Sequence, residues 1–173
     1  GDSFHCRRFD YDAMAEDIRD FMRAHRLAQA ALLGHSMGGM IVQEMVRLAP
    51  TRVDRLVLYG TGPLGLLPGR FETMARSRER LAEDGVDATA RRISATWLLH
   101  RERSPHAQAL GDLAAQASAQ AAEAGLWAME RWDGRANLPH ISQPTNTANG
   151  RRRYSNGATA DISPALKAWT QKY

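Results

Sequence analysis

One pentapeptide in this chain has the residue types and spacing that nucleophilic catalysis requires. Residues 34–38 have the sequence GHSMG, so that a serine follows one glycine by two positions and precedes another by two positions. When such a serine lies in a tight turn between a strand and a helix, glycines at these positions remove the side chains that would collide with the flanking elements. We therefore predict that Ser36 is an exposed nucleophile and that Gly34 and Gly38 give the turn its geometry.

The residue after the serine adds a second chemical group. If the turn opens a helix, the backbone N–H of Met37 lies at the helix N-terminus, where the partial positive charge favours an anion. There it can donate a hydrogen bond to the oxyanion that forms when a serine attacks a carbonyl carbon. The same pentapeptide also occurs by chance as an ordinary glycine-rich turn, so the prediction depends on the elements on either side of it.

The flanking segments have the patterns that such a turn needs. The apolar run 30–33 predicts a buried strand, and the segment 37–48, apolar on nearly every side, predicts a buried helix that ends before a proline. A second apolar run, 56–59, predicts another buried strand. Strand, helix and strand in this order predict a right-handed parallel crossover. An amphipathic helix over about residues 11–26 is expected to pack against it.

These motifs resemble those of the α/β-hydrolase family, and the likeness runs without a break from residue 1 to residue 62. The resemblance implies an α/β fold: a partial α/β-hydrolase fold, shortened at both ends, with a parallel strand-helix-strand core and an all-helical cap. We expect a partial core with the nucleophile elbow over 1–63, a helical cap over 64–138 and an atypical basic tail over 139–173. Within the cap exit, residues 132–141 resemble enol-lactone hydrolases.

The cap segment is rich in alanine, arginine and glutamate with helical spacing, and we expect no strand between residues 70 and 130. Its large apolar residues are candidates for either the cap core or a substrate pocket, and Trp127 and Trp132 are more typical of a core. We expect Trp97 and Trp127 to be more buried than three arginines of the same segment, Arg91, Arg92 and Arg103.

The sequence departs from the family where a catalytic acid and base belong. Pro144-Thr145 stands where the family's next strand begins, but the polar run 146–149 replaces its apolar residues. Arg153 stands at the position of the family's acid, and no histidine follows His140, although the family's base is last in chain order. The resemblance therefore implies a nucleophile without a recognisable acid or base.

Five other residues were considered as acids or bases. His35 is more typical of a packed or hydrogen-bonded histidine, and His100 and His106 of surface histidines in the cap. His5 follows the segment that resembles a family loop and is the first residue to examine as a recruited base. Asp161 is the only acidic residue after position 143.

Two hypotheses about function follow. The first is a serine hydrolase that acts on an ester, a lactone or a related carbonyl substrate through Ser36, with no metal and no organic cofactor. A serine at this position argues against the dehalogenase and epoxide-hydrolase branches, which use a carboxylate nucleophile. The alternative is a non-catalytic remnant, truncated or frameshifted, that lacks the acid and base of the triad.

Composition and charge exclude other classes of protein. The chain has 173 residues, is 43% hydrophobic and carries a net charge of +4. All of the excess of basic over acidic residues lies after residue 143. No stretch approaches the roughly 18 apolar residues that a membrane span needs. One cysteine, Cys6, provides neither an internal disulfide nor a thiolate cluster.

The expected partner is therefore a small carbonyl substrate, with no nucleic acid and no membrane, together with self-association through open sheet edges. Residues 1–9 lack the charged-then-apolar pattern of a signal peptide, and we expect a cytoplasmic location.

Overall fold

The computed structural model describes residues 9–66 and 71–148. The predictions for His5, Asp161 and Arg153 concern residues outside these ranges. The described residues form two compact units: the first comprises 9–65 and 131–148, and the second comprises Leu66 and 71–130. Residues 139–148 belong to the first unit.

In the first unit, helix α1 (Tyr11–Ala24) precedes strand β1 (Ala30–His35), helix α2 (Met37–Leu48) and strand β2 (Val53–Tyr59). The Asp10 side chain caps α1 by accepting a hydrogen bond from the Ala13 N–H at 2.8 Å, which satisfies one of the N–H groups that a helix start leaves without a partner. A 3-10 helix (Pro50–Arg52) leads into β2. The predicted order of helix, strand, helix and strand is confirmed.

Strand β3 (Thr145–Ala148) completes a parallel sheet of order β1-β2-β3. It pairs with β2 from Leu56↔Thr145 to Tyr59↔Ala148. The sequence predicts two strands only, because the run after Thr145 is polar. Backbone pairing with β2 forms this strand, and a strand at the edge of a sheet does not need apolar side chains on both faces.

The core of the first unit lies between the sheet and helices α1 and α2. It is formed by buried apolar side chains of α1, α2 and β2, with partly buried residues of β1 packed against them: Ala15, Met22, Val42, Met45, Val46, Val53, Leu56 and Leu58, with Ala30 and Leu32 of β1. The opposite face of the sheet is open among the residues that the structure describes. Leu33 is 67% exposed and Tyr59 is 44% exposed. The expectation of two fully buried strands is therefore correct for one face of the sheet and wrong for the other.

The second unit is helical throughout its described part, as the sequence predicts. It contains α3 (Met74–Ala95), α4 (Ala107–Ala114) and most of α5 (Ala119–Arg131), with a 3-10 turn at Arg101–Arg103. Helix α3 is interrupted at Gly85, which has a φ of 80°. None of the helices in the described ranges is long and apolar enough to cross a membrane.

The expectation that both tryptophans are more buried than the arginines of this unit is wrong for Arg92. Trp97 is 55% exposed and Trp127 is 38% exposed, whereas Arg92 is half-buried. Arg92 is partly buried because it forms an ion pair with Glu72, in which its Nη1 lies 2.8 Å from the carboxylate. Trp127 packs instead under the guanidinium of Arg78, whose Cζ lies 3.6 Å from the ring centroid. Ion pairing thus reverses the order that hydrophobicity alone predicts.

Candidate active site

Ser36 is the single residue between the end of β1 and the start of α2. Its backbone has φ 51° and ψ −119°, a left-handed conformation that is uncommon for a residue other than glycine. Such a conformation costs on the order of 1–3 kcal/mol and persists only where the surrounding structure enforces it. The predicted strand-to-helix turn is present, and Ser36 is partly exposed at its apex.

Two backbone hydrogen bonds hold this turn. The Ser36 N–H donates to the Tyr59 carbonyl at 2.9 Å, and the Ser36 carbonyl accepts from the Gly39 N–H at 2.9 Å. The first bond ties the turn to the end of β2, and the second begins helix α2. The serine hydroxyl does not cap α2, although a serine before a helix ordinarily does so. Because no capping bond engages it, the hydroxyl is available to another partner.

The glycines around Ser36 differ in what they permit. A Cβ on Gly34 would lie 2.4 Å from the Gly38 carbonyl oxygen, and a Cβ on Gly39 would lie 2.3 Å from Cγ2 of Thr61. A Cβ on Gly38 would meet no atom within 4 Å among the described residues. The close approach predicted at Gly34 is therefore present, whereas the second tight contact falls on Gly39 and not on Gly38.

Met37 is the first residue of α2. Its N–H is consequently one of the groups for which an α-helix has no internal acceptor, and the helix dipole makes this position favourable for negative charge. Met37 thus lies at the helix N-terminus that the sequence predicts.

The histidines considered from the sequence do not join the serine within the described part of the chain. The His35 ring lies against the Tyr59 ring, with centroids 5.0 Å apart, but His35 is exposed, so it stacks on a neighbouring ring without being buried. His100 and His106 belong to the helical unit and are exposed, as expected for surface residues. Among the described residues, no hydrogen bond joins Ser36 Oγ to a histidine.

Trp132 is a packing residue of the first unit. Its ring meets Tyr11 edge-on, with centroids 5.8 Å apart, and its Nε1–H donates to the Glu44 carboxylate at 2.7 Å. Burial raises the pKa of Tyr11. Of the two interpretations considered for Trp132, the structure favours the core residue.

Sequence reasoning missed Gln43, which braces the turn from within α2. The side chain is 1% exposed, and its Nε2 donates to the Gly39 carbonyl at 2.9 Å and to the Gly62 carbonyl at 3.1 Å. These bonds join the first turn of α2 to the loop after β2. One signal was available in the sequence: a polar residue on a largely apolar helix needs a hydrogen-bond partner where it is buried.

The chain is similar in sequence to an esterase and to a lipase. Esterase YbfF of Escherichia coli (strain K12) is 33% identical over 86 residues, which cover 50% of this chain and 33% of that protein. The sn-1-specific diacylglycerol lipase ABHD11 of Mus musculus is 36% identical over 69 residues, which cover 40% of this chain and 22% of that protein. The matches thus span a third or less of these curated relatives.

Solved structures share the fold over most of the chain. The enol-lactonase from Burkholderia xenovorans LB400 superposes with a TM-score of 0.78 at 19% identity, covering 99% of this chain and 64% of that one. The esterase EaEST from Exiguobacterium antarcticum superposes with a TM-score of 0.75 at 23% identity, covering 85% and 58%. Identities this low indicate a shared architecture and nothing finer.

A sequence model of the family described as the alpha/beta hydrolase fold matches residues 2–172. The match continues beyond residue 143, where the residues at the positions of the acid and base depart from the family's pattern. Because the match passes through both units and continues into the tail, the chain belongs to the α/β-hydrolase fold family.

Proposed function

We propose that this chain hydrolyses an ester, a lactone or a related carbonyl compound, with Ser36 Oγ as the nucleophile. The observation that carries the proposal is the left-handed backbone of Ser36, at φ 51°, between β1 and α2. A serine placed in this way presents its hydroxyl outside the secondary structure, where a substrate can reach it. The relatives, an esterase and a diacylglycerol lipase, support carboxylic esters as the substrate class.

The reaction takes two steps. Ser36 Oγ forms a bond to the carbonyl carbon and gives its proton to a base, while the carbonyl oxygen becomes an oxyanion that accepts a hydrogen bond from the Met37 N–H. Collapse of this intermediate breaks the bond to the leaving alkoxide, which takes up the proton and leaves an acyl-serine. Water then attacks the acyl-serine by the same route and releases the acid.

The expected effect of each catalytic group on kcat determines the change that an activity assay must detect. One oxyanion donor contributes about 10²–10³ in kcat, whereas loss of the nucleophile or the base lowers kcat by on the order of 10⁶. The base is the larger requirement. His5, the candidate named from the sequence, lies outside the described residues, so the assay must reveal whether any base acts on Ser36.

The test uses the full chain with a chromogenic short-chain ester. Ser36→Ala removes the nucleophile, and Ser142→Ala, at an exposed serine of the same unit, is the matched control. The proposal predicts turnover in the wild type and in Ser142→Ala and none above background in Ser36→Ala. Equal trace activity in all three proteins would favour the non-catalytic remnant.

A further inference from the structure

Glu44 is a buried carboxylate in the helix that follows Ser36. It is 5% exposed, and its two oxygens accept hydrogen bonds from three side chains. Oε1 accepts from Trp132 Nε1 at 2.7 Å and from Asn137 Nδ2 at 3.3 Å, and Oε2 accepts from Arg47 Nε at 2.5 Å. A charge this deeply buried is costly unless it is paired and hydrogen-bonded, so these partners determine whether it is tolerated.

Two of the three partners belong to the chain segment that returns from the helical unit. Its first residues, 132–134, run antiparallel to residues 63–65, by which the chain leaves the first unit. We call these two short segments together the neck. The neck contains a backbone bridge between Leu64 and Asp133. Two further bonds close it, from the Gly134 N–H to the Pro63 carbonyl at 2.8 Å and from the Gly65 N–H to the Trp132 carbonyl at 3.2 Å.

The Trp132 indole is placed for this bond by its neighbours. A Cβ on Gly134 would lie 2.4 Å from Cζ2 of Trp132, so only glycine lets the ring lie in its observed position. Tyr11 also contacts the Trp132 ring, edge-on. On the opposite side of the carboxylate, Arg47 also pairs with Asp12 of α1. Glu44 therefore joins α1, α2 and the neck.

We propose that Glu44 is a positioning residue that anchors the neck of the helical unit to the helix beginning at Met37, acting through Trp132. Among the described residues, backbone bonds join the two segments of the neck to each other, and the Trp132 indole joins the neck to α2 through this carboxylate. Nothing in this proposal depends on turnover by Ser36, so its test does not require an active enzyme.

The test is hydrogen exchange of backbone amides in the full chain, followed by nuclear magnetic resonance. Glu44→Ala removes the acceptor, and Trp132→Phe removes the donor while keeping a ring against Tyr11. Glu44→Gln keeps an acceptor oxygen for the indole and serves as the conservative rescue. Glu16→Ala, at an exposed glutamate of α1, is the matched control.

Loss of a hydrogen bond to a charged group predicts exchange about tenfold faster or more at the Gly65 and Gly134 amides in Glu44→Ala and Trp132→Phe. The Leu56 amide, bonded to the Pro144 carbonyl at 2.9 Å, is expected to keep its wild-type rate. Glu44→Gln is expected to retain slow exchange at the neck and protection of the Trp132 indole N–H.

Uniform acceleration at the neck and at Leu56 would show that Glu44 contributes only general stability and would overturn the proposal. Unchanged neck amides in Trp132→Phe would overturn it as well, and this variant decides the matter if Glu44→Ala does not fold. Neck amides in Glu44→Gln that exchange as fast as in Glu44→Ala would also contradict the anchoring role, because the rescue would have failed.

Discussion

The backbone atoms beside Gly34 constrain the turn at Ser36. In Gly34→Ala the new Cβ would lie 2.4 Å from the Gly38 oxygen, 2.5 Å from the Gly39 Cα and 2.6 Å from the Gly38 carbonyl carbon. All three atoms are backbone and cannot rotate away, so the strand or the helix must shift. Overpacking of this kind costs about 3 kcal/mol in the free energy of unfolding.

Gly38→Ala is the matched control, because the same methyl group there meets no described atom within 4 Å. Alanine is also favoured over glycine in a helix by up to about 1 kcal/mol, so this variant should be as stable as the wild type or slightly more stable.

Urea unfolding followed by circular dichroism measures both variants. With a slope of about 2 kcal/mol/M, the Gly34→Ala midpoint should fall by about 1.5 M and the Gly38→Ala midpoint should stay or rise. If Gly34→Ala kept the wild-type midpoint, or if the two variants lost the same stability, the reasoning about the turn would be refuted.

Three further predictions concern single residues. Ser36→Gly should raise the free energy of unfolding by about 1 kcal/mol in urea melts while abolishing turnover, because glycine adopts a positive φ without strain; a loss of stability would contradict this. Gln43→Leu should cost about 1–3 kcal/mol in the same melts, since the buried Gly62 carbonyl loses the amide that donates to it; a neutral result would mean that this side chain does not brace the turn. Burial raises the pKa of Glu72, but hydrogen bonds from Ser77 and Arg92 outweigh it and hold the pKa below its usual range. The ionised Glu72 carboxylate should therefore stabilise the fold above its unfolded pKa, and this stabilisation should be lost as pH falls through its folded pKa. The free energies of unfolding of the wild type and Glu72→Gln should then become equal in acid. A difference between them that stays constant down to low pH would refute this.

The strand-to-helix turn at Ser36 could be predicted because its requirements are local. A glycine-flanked serine between an apolar run and an apolar helix specifies backbone geometry within a few residues, and Ser36 has that geometry. The glycine that meets Thr61 could not be assigned correctly, because the contact joins the start of α2 to the loop after β2. Which glycine faces that loop depends on how the helix docks.

The remaining differences arise from long-range pairing. Strand β3 forms through backbone bonds to β2 in a stretch whose side chains are polar, so hydropathy gives no signal for it. Arg92 is more buried than Trp97 because Glu72 lies beside it in the folded unit. In both cases the interacting residue or strand is distant in sequence, so the composition of a short sequence window cannot identify it.

The central claim, that Ser36 is an activated nucleophile, is tested most directly by covalent labelling. The full chain is treated with a fluorophosphonate, which reacts with serines whose hydroxyl is activated by a neighbouring base, and the modified peptide is identified by mass spectrometry. We expect stoichiometric label on the peptide that contains Ser36, and none on that peptide in Ser36→Ala. Labelling of Ser36 no faster than that of the exposed Ser142 would contradict the claim.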